Sequence, residues 1–222
     1  GAFEDITVQS TASDSVKKMK GNFTNVDFGY SITWDKRNQP FQPTAGYRTR
    51  FEQQLPILQD SSSIINGIDV ARYHAFSEDM ITSLKFKAKA IHGVDDDVRL
   101  TNRLFLPAKS LRGFNVRKTG PKDGQDFIGG NYITSLGAEA KLPNLLPETY
   151  QTDFSIFLDT ANVWSVDYSD SVDDTNAIRS SIGFAANVYT TVGPLSFTVA
   201  QSLTEGKYDE TETFNFRLGT SF

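Results

Sequence analysis

The sequence predicts an all-β protein, an antiparallel β-barrel that crosses a membrane with its strands. Three observations predict it. Apolar and polar residues alternate with period two along most of the chain, the pattern of strands whose two faces meet different surroundings. The alternating segments are about ten residues or more, longer than the ~5–6 of globular strands and matched to the ~9–11 that cross a bilayer at a tilt. From the third connection onward, short and long links alternate, the asymmetry between the two rims of an outer-membrane barrel.

Taken in order, residues 4–9 read as the tail of a strand, and the chain opens at Gly1 like the inside of a longer polypeptide. In 22–35, Val26, Phe28, Tyr30, Ile32 and Trp34 share one face against Asn25, Asp27, Ser31, Thr33 and Asp35. Segment 44–55 sets Tyr47, Thr49, Phe51 and Leu55 against Arg48, Arg50, Glu52 and Gln54. Segment 62–75 follows, and 80–91 opposes Leu84, Phe86, Ala88 and Ala90 to Lys85, Lys87 and Lys89. Residues 92–130 form a long connection with no obvious element, and such loops tend to be functional. Beyond it, strands are predicted at 131–142, 150–160, 177–189, 193–203 and 212–222, nine in all besides 4–9, and none of the chain shows a helical period. Trp34, Tyr47, Tyr150, Trp164 and Tyr189, near strand ends, suit interfacial girdles. The alternative fold is a soluble sandwich or ligand-binding barrel with its apolar faces turned inward.

Composition excludes much chemistry. The chain of 222 residues has no Cys and two His, His74 and His92, and its net charge of −5 leaves no footprint for nucleic acid. Asp95-Asp96-Asp97 and the acidic stretch with Asp167, Asp170, Asp173 and Asp174 lack calcium-loop spacing and read as solvated outer loops. The Gly124–Gly130 stretch lacks the Lys of a phosphate loop, and no nucleophile elbow or His-based triad occurs. No catalytic residue, cofactor or metal is expected, and the chain is not expected to be an enzyme.

Strand parity singles out charges. Tyr132, Leu136, Ala138, Ala140 and Leu142 face one way and leave Glu139 on the other; Phe154, Ile156 and Leu158 likewise leave Asp153 and Asp159 opposite. If the apolar faces meet lipid, these acids face the lumen. If the 92–130 loop folds inward, Arg112 can make a forked, charge-assisted pair with Glu139, Asp159 or both. The alternative is a solvated loop charge. The other polar-face cations, Lys85, Lys87, Lys89, Arg48, Arg50 and Arg179, predict a hydrated lumen balanced by Asp27, Asp35, Glu52, Asp69, Asp153 and Asp159.

Several motifs stand in a telling order. Ser110-Leu111-Arg112-Gly113-Phe114 is followed by Gly120-Pro121 and Ile128-Gly129-Gly130. Phe157 to Trp164 reads Phe-Leu-Asp-Thr-Ala-Asn-Val-Trp; Ile178-Arg179-Ser180-Ser181-Ile182-Gly183 leads a strand that turns at Val192-Gly193-Pro194-Leu195. The last segment puts Phe214, Phe216, Leu218, Thr220 and Phe222 on one face and stops on the aromatic. Together these resemble the C-terminal barrel of the Omp85 superfamily over essentially 22–222, and most closely its bacterial outer-membrane assembly members.

The resemblance implies the last nine or ten strands of a sixteen-stranded barrel within one domain, 1–222, without the periplasmic POTRA domains and early strands. It implies an inward plug loop, about 92–130, whose motif Arg112, Gly113 and Phe114 meets Glu139 and Asp159. It implies that 212–222 carries the C-terminal assembly signal and one side of a lateral seam, with Phe214, Phe216, Leu218 and Phe222 on its apolar face and Gly219 loosening its packing. The implied function is insertion of unfolded β-barrel clients into the bacterial outer membrane, with outer-membrane lipid as surroundings and accessory lipoproteins reached through POTRA domains. A two-partner secretion translocator, a passive porin and an anchor barrel are the alternatives. Two departures from the family pattern fall at Leu104–Lys109 and at Ala161, where Gly is usual.

Overall fold

The computed structural model describes residues 2–218 apart from 11, 18–19, 60–61, 95–96, 144–145, 148–150, 168–171, 173–175 and 191–192. In chain order its strands are β1 (Ala2–Ile6), β2 (Gly21–Asp35), β3 (Gly46–Gln59), β4 (Ser63–Ala75) and β5 (Ile81–Gly93). The short β6 (Lys122–Asp123) and β7 (Asp126–Phe127) lie within the long connection. After it come β8 (Tyr132–Lys141), β9 (Thr152–Trp164), β10 (Arg179–Thr190), β11 (Gly193–Thr204) and β12 (Phe214–Leu218). Among the described residues, all but β6 and β7 form one ten-stranded antiparallel sheet in which every strand pairs with its sequence neighbours in the sheet. β1 and β12 are its edges. The one α-helix among the described residues is a single turn, Asp14–Lys17, too short to show a helical period.

Two boundaries moved for physical reasons. Pro56 has no N–H to give to a ladder, which argues for ending the third strand at 55. Instead β3 continues to Gln59 through a register shift against β2: Pro56 faces Asp27 and Leu58 faces Val26, so Ile57 is the extra residue of a bulge. β9 runs past 160 to Trp164 because Ala161 and Val163 still have something to pack against.

One face of the sheet is an apolar coat. Phe28, Ile32, Ile68, Leu84, Phe86, Leu136, Leu158, Ile182, Phe184 and Val199 are exposed on it, as the lipid-facing reading requires. Trp34 and Tyr47 mark the rim formed by the short turns, and Tyr132 and Trp164, with rings 5.6 Å apart, mark the other. Tyr189 does not belong to a girdle: it points inward and donates to Asp153 Oδ2 at 3.1 Å. Tyr150 lies outside the described residues. No helix among the described residues is long and apolar enough to cross a membrane.

The other face changes along its height. From the short-turn rim to past mid-height it is charged, with Lys141 2.7 Å from Asp153, Lys87 3.0 Å from Asp69 and Lys89 3.1 Å from Glu52. Toward the rim where 94–131 emerges it becomes apolar. There Ile91, Ile133, Ala161 and Val163 pack against Val98, Leu104, Leu106, Leu111 and Phe114 of the loop. The hydrophobic core therefore lies between the wall and the inserted loop. That loop is more ordered than expected, with a 3-10 turn at Leu100–Asn102, the β6–β7 ribbon and a bridge from Leu104 to Gly130. Across the concave side, Gln42 Nε2 reaches Asp153 at 3.1 Å and the Tyr189 hydroxyl at 2.9 Å, so the sheet is strongly curled.

Candidate functional site

β8 and β9 place the two acids together. Gly137 pairs with Asp159 and Glu139 with Phe157, so the carboxylates are diagonal neighbours on the inner face, close enough for one long side chain to span. Arg112 does so. Its Nε and Nη2 donate to Asp159 Oδ2 at 2.7 Å and Oδ1 at 2.9 Å, and Nη1 donates to Glu139 Oε2 at 2.8 Å. Its backbone N–H also donates to Asp159 Oδ2 at 3.1 Å. The Asp159 side chain is 1% exposed, so these donors stand in for water. Burial by itself lowers the Arg112 pKa, but the hydrogen bonds and charge of Asp159, with Glu139 adding to them, hold it above its ordinary value.

The neighbours of Arg112 fix its position. Its Cζ lies 3.5 Å from the centre of the Phe157 ring, a cation–π contact in a desolvated place. Ser181 Oγ donates to its carbonyl oxygen at 2.5 Å. Gly113 follows with φ +87°, and a Cβ there would stand 2.9 Å from Ala200 Cβ, so both the backbone conformation and the space favour glycine. Leu111 and Phe114, on either side, are buried in the core cluster.

Of the predicted seam residues, Phe214, Phe216 and Leu218 are exposed on the outer face of β12, with the Phe216 ring 5.1 Å from that of Phe197. Gly219 and Phe222 lie outside the described residues, as do Asp95, Asp96, Asp170, Asp173 and Asp174. On the inner face of β12, Arg217 Nη2 donates to the Ala108 carbonyl of the plug at 3.2 Å. Ala161 takes no left-handed backbone conformation and is buried in the core, so the missing glycine is accommodated as regular strand.

Sequence reasoning missed several participants. Phe157 sits on the polar face of β9, an apolar exception to its parity that could have been noticed. Asp167 is not a solvated outer-loop charge: it accepts from the Val98 N–H at 2.6 Å and from the Asn131 side-chain amide, tying both ends of the plug to the 165–178 connection. Arg179 is not a hydrated lumen cation either; it is 0% exposed and lies 2.6 Å from Asp209, itself 2% exposed. Asp209 lies in a connection with no periodicity, and nothing in the sequence pointed to it. Among the described residues no group of three or more acidic or His side chains is placed to hold a metal.

Residues 3–222 match the Omp85 superfamily domain. The chain is 29% identical over 221 residues to the outer membrane protein assembly factor BamA of Neorickettsia risticii, covering 97% of this chain and 30% of that protein. It is 31% identical over 140 residues to a SAM50-like protein of Schizosaccharomyces pombe, covering 60% of this chain and 30% of that one. It is 24% identical over 173 residues to the human sorting and assembly machinery component 50 homolog, covering 72% and 36% respectively. Among solved structures, BamA from Haemophilus ducreyi lacking POTRA domains 1–3 shares the fold with a TM-score of 0.77 at 24% identity, covering 86% of this chain and 41% of that one. The chain thus spans about a third of the length of these curated relatives. The outward apolar coat and the bacterial outer-membrane relatives give its location as the bacterial outer membrane. The match to nearly the whole chain, with an antiparallel transmembrane sheet wrapped around an inserted loop, makes this chain a member of the Omp85 superfamily.

Proposed function

We propose that this chain is the C-terminal barrel portion of a factor that inserts and folds other β-barrel proteins in the outer membrane. It acts by templating strands and performs no enzymatic reaction. The observation that carries the reading is the locked plug: Arg112 bonded to both Glu139 and Asp159 inside an Omp85 barrel with relatives named as outer membrane protein assembly factors and as a sorting and assembly machinery component. The physical problem such a factor solves is the cost of several kcal/mol for each unpaired backbone N–H or C=O that enters hydrocarbon. An edge strand that pairs with the incoming chain by β-augmentation removes that cost before the chain meets lipid. β12, with its exposed outer face and a single neighbour among the described residues, supports a role as one side of such a seam. Unfolded barrel clients are the substrates in this reading, and accessory lipoproteins would join through POTRA domains of the full-length protein. A passive porin is disfavoured, because the loop packs against the inner wall as core instead of leaving an open lumen.

The test is Arg112→Ala in the full-length protein, expressed in a strain depleted of the wild type. Client barrels are expected to fall while the variant itself stays in the outer membrane. Charge reversal at Glu139 or Asp159 is expected to do the same, with partial recovery when position 112 is reversed too. Wild-type client levels with Arg112→Ala would sink the assembly role of the plug.

A further inference from the structure

The plug has a second anchorage, separate from the acids of the wall. Residues 113–118 run beside the connection between β11 and β12 and bond to it as a strand would. Asn115 N–H donates to the Glu210 carbonyl at 2.8 Å, Glu210 N–H to the Lys118 carbonyl at 3.0 Å and Glu212 N–H to the Gly113 carbonyl at 2.9 Å. Asp209 closes the end of this ribbon. Its Oδ1 accepts from the Gly120 N–H at 3.2 Å; its Oδ2 accepts from the Gly206 N–H at 2.5 Å and from Arg179 Nε at 2.6 Å. Arg179 is held in turn by the Asn162 Oδ1 at 3.0 Å and the Ala177 carbonyl at 2.8 Å. Gly120, at φ +97°, is pressed so close to the wall that a Cβ would stand 2.4 Å from Val163 Cγ1.

From this geometry we propose that Asp209 is a positioning residue that joins the plug to the last hairpin, so that 113–120 and the β11–β12 connection move as one body when β12 moves. The 205–213 segment is the covalent link between β11 and β12. If β12 swings out of the sheet while the plug stays, the backbone bonds of 113–118 break and the buried Asp209 carboxylate loses its Gly120 donor. If the ribbon travels with β12, the backbone bonds of 113–118 and the Gly120–Asp209 bond are kept, and strain falls on the contacts that tie the ribbon to the wall, the Arg179–Asp209 pair and the Arg112 pair, whose residue adjoins Gly113. Opening at the seam would thus be felt directly at the motif that holds the plug. This deepens the assembly reading and rests on it for its consequence, though not for the link itself.

The experiment uses the full-length protein in outer membranes, with any native cysteines outside this chain replaced; the chain itself has none. A single cysteine at the buried Thr119 reports docking of the ribbon by its rate of maleimide labelling. Asp209→Ala is expected to raise that rate at least tenfold with the barrel still inserted, and to lower client assembly. Asp209→Asn, which keeps an acceptor for the backbone donors, is expected to fall between. A disulfide between Asn115→Cys and Glu210→Cys is expected to leave assembly intact in the otherwise wild-type protein and to restore it in the Asp209→Ala background. The proposal is overturned if Asp209→Ala leaves labelling unchanged, or if the oxidised pair blocks assembly and reductant releases it, since the two segments would then have to part. Labelling needs no client, so failure of the link is distinguishable from failure of the assembly reading.

Discussion

Removing the Arg112 guanidinium is the sharpest perturbation the site offers. Three side-chain hydrogen bonds to carboxylates vanish, along with the Phe157 cation–π contact, and Asp159 is left 1% exposed without a cation. Summing charge-assisted bonds at about 1.5–3 kcal/mol each would overstate the loss, because docking also strips water from all three charged groups. Breaking a buried pair by deleting one partner typically costs about 3–5 kcal/mol, most of it the penalty of the orphaned charge. At about 1.4 kcal/mol per tenfold, that lowers the docking equilibrium by roughly two to three and a half powers of ten. Because the orphaned charge is the larger part, Arg112→Ala combined with Asp159→Asn should dock the plug better than Arg112→Ala alone. The assay is amide hydrogen exchange over 111–118 in the full-length protein, comparing both single variants and the double. Strictly additive effects, or unchanged exchange in Arg112→Ala, would refute the claim that this charge cluster holds the loop.

Gly113→Ala meets a left-handed backbone and a Cβ contact of 2.9 Å, so it is expected to destabilise docking by about 1–2 kcal/mol from handedness, with the clash adding to that; exchange over 111–118 reads it while the barrel strands stay protected. Leu158→Lys places a charge on the outer face near the middle of β9 and is expected to cost about 2–4 kcal/mol in urea unfolding from lipid vesicles. An insensitive response at Leu158 would mean that this face does not meet hydrocarbon.

What the sequence made legible was whatever parity controls. A period of two assigns every strand residue to one face, so the inward placement of Glu139 and Asp159 followed once the apolar rows were given to lipid, and Arg112 was the cation of the loop motif beside them. Parity fails at a bulge, as at Ile57 beyond the predicted end of the third strand at 55, and it says nothing about loops. Tyr189 was placed by residue type, whereas its parity, shared with Ser181 and Asn187, already turned it inward. Asp167 and Asp209 bind groups far away in sequence, from connections whose path only the folded chain defines.

The position of the arginine cluster on the wall explains why the plug needs it. Along β5 the inner face passes from Lys85, Lys87 and Lys89 to Ile91; along β9 it passes from Asp153 through Asp159 to Ala161 and Val163. The wall thus has a largely charged half, with a small buried patch at Phe157, Ala185 and Ala200, and a dry half, and Asp159 stands where one gives way to the other. A plug held only by Leu104, Leu106, Leu111 and Phe114 would have its depth set by apolar contacts alone, which resist withdrawal but specify no single register. The forked guanidinium adds to the specification given by the backbone bonds of 113–118, since its donors reach both acids at one depth. Moving the plug outward by one residue would drag Arg112 into the dry half and leave Asp159 unpaired. Moving it inward would bring Phe114 toward the charged half. The loop is therefore confined from both sides, and any release of it must separate Arg112 from Asp159.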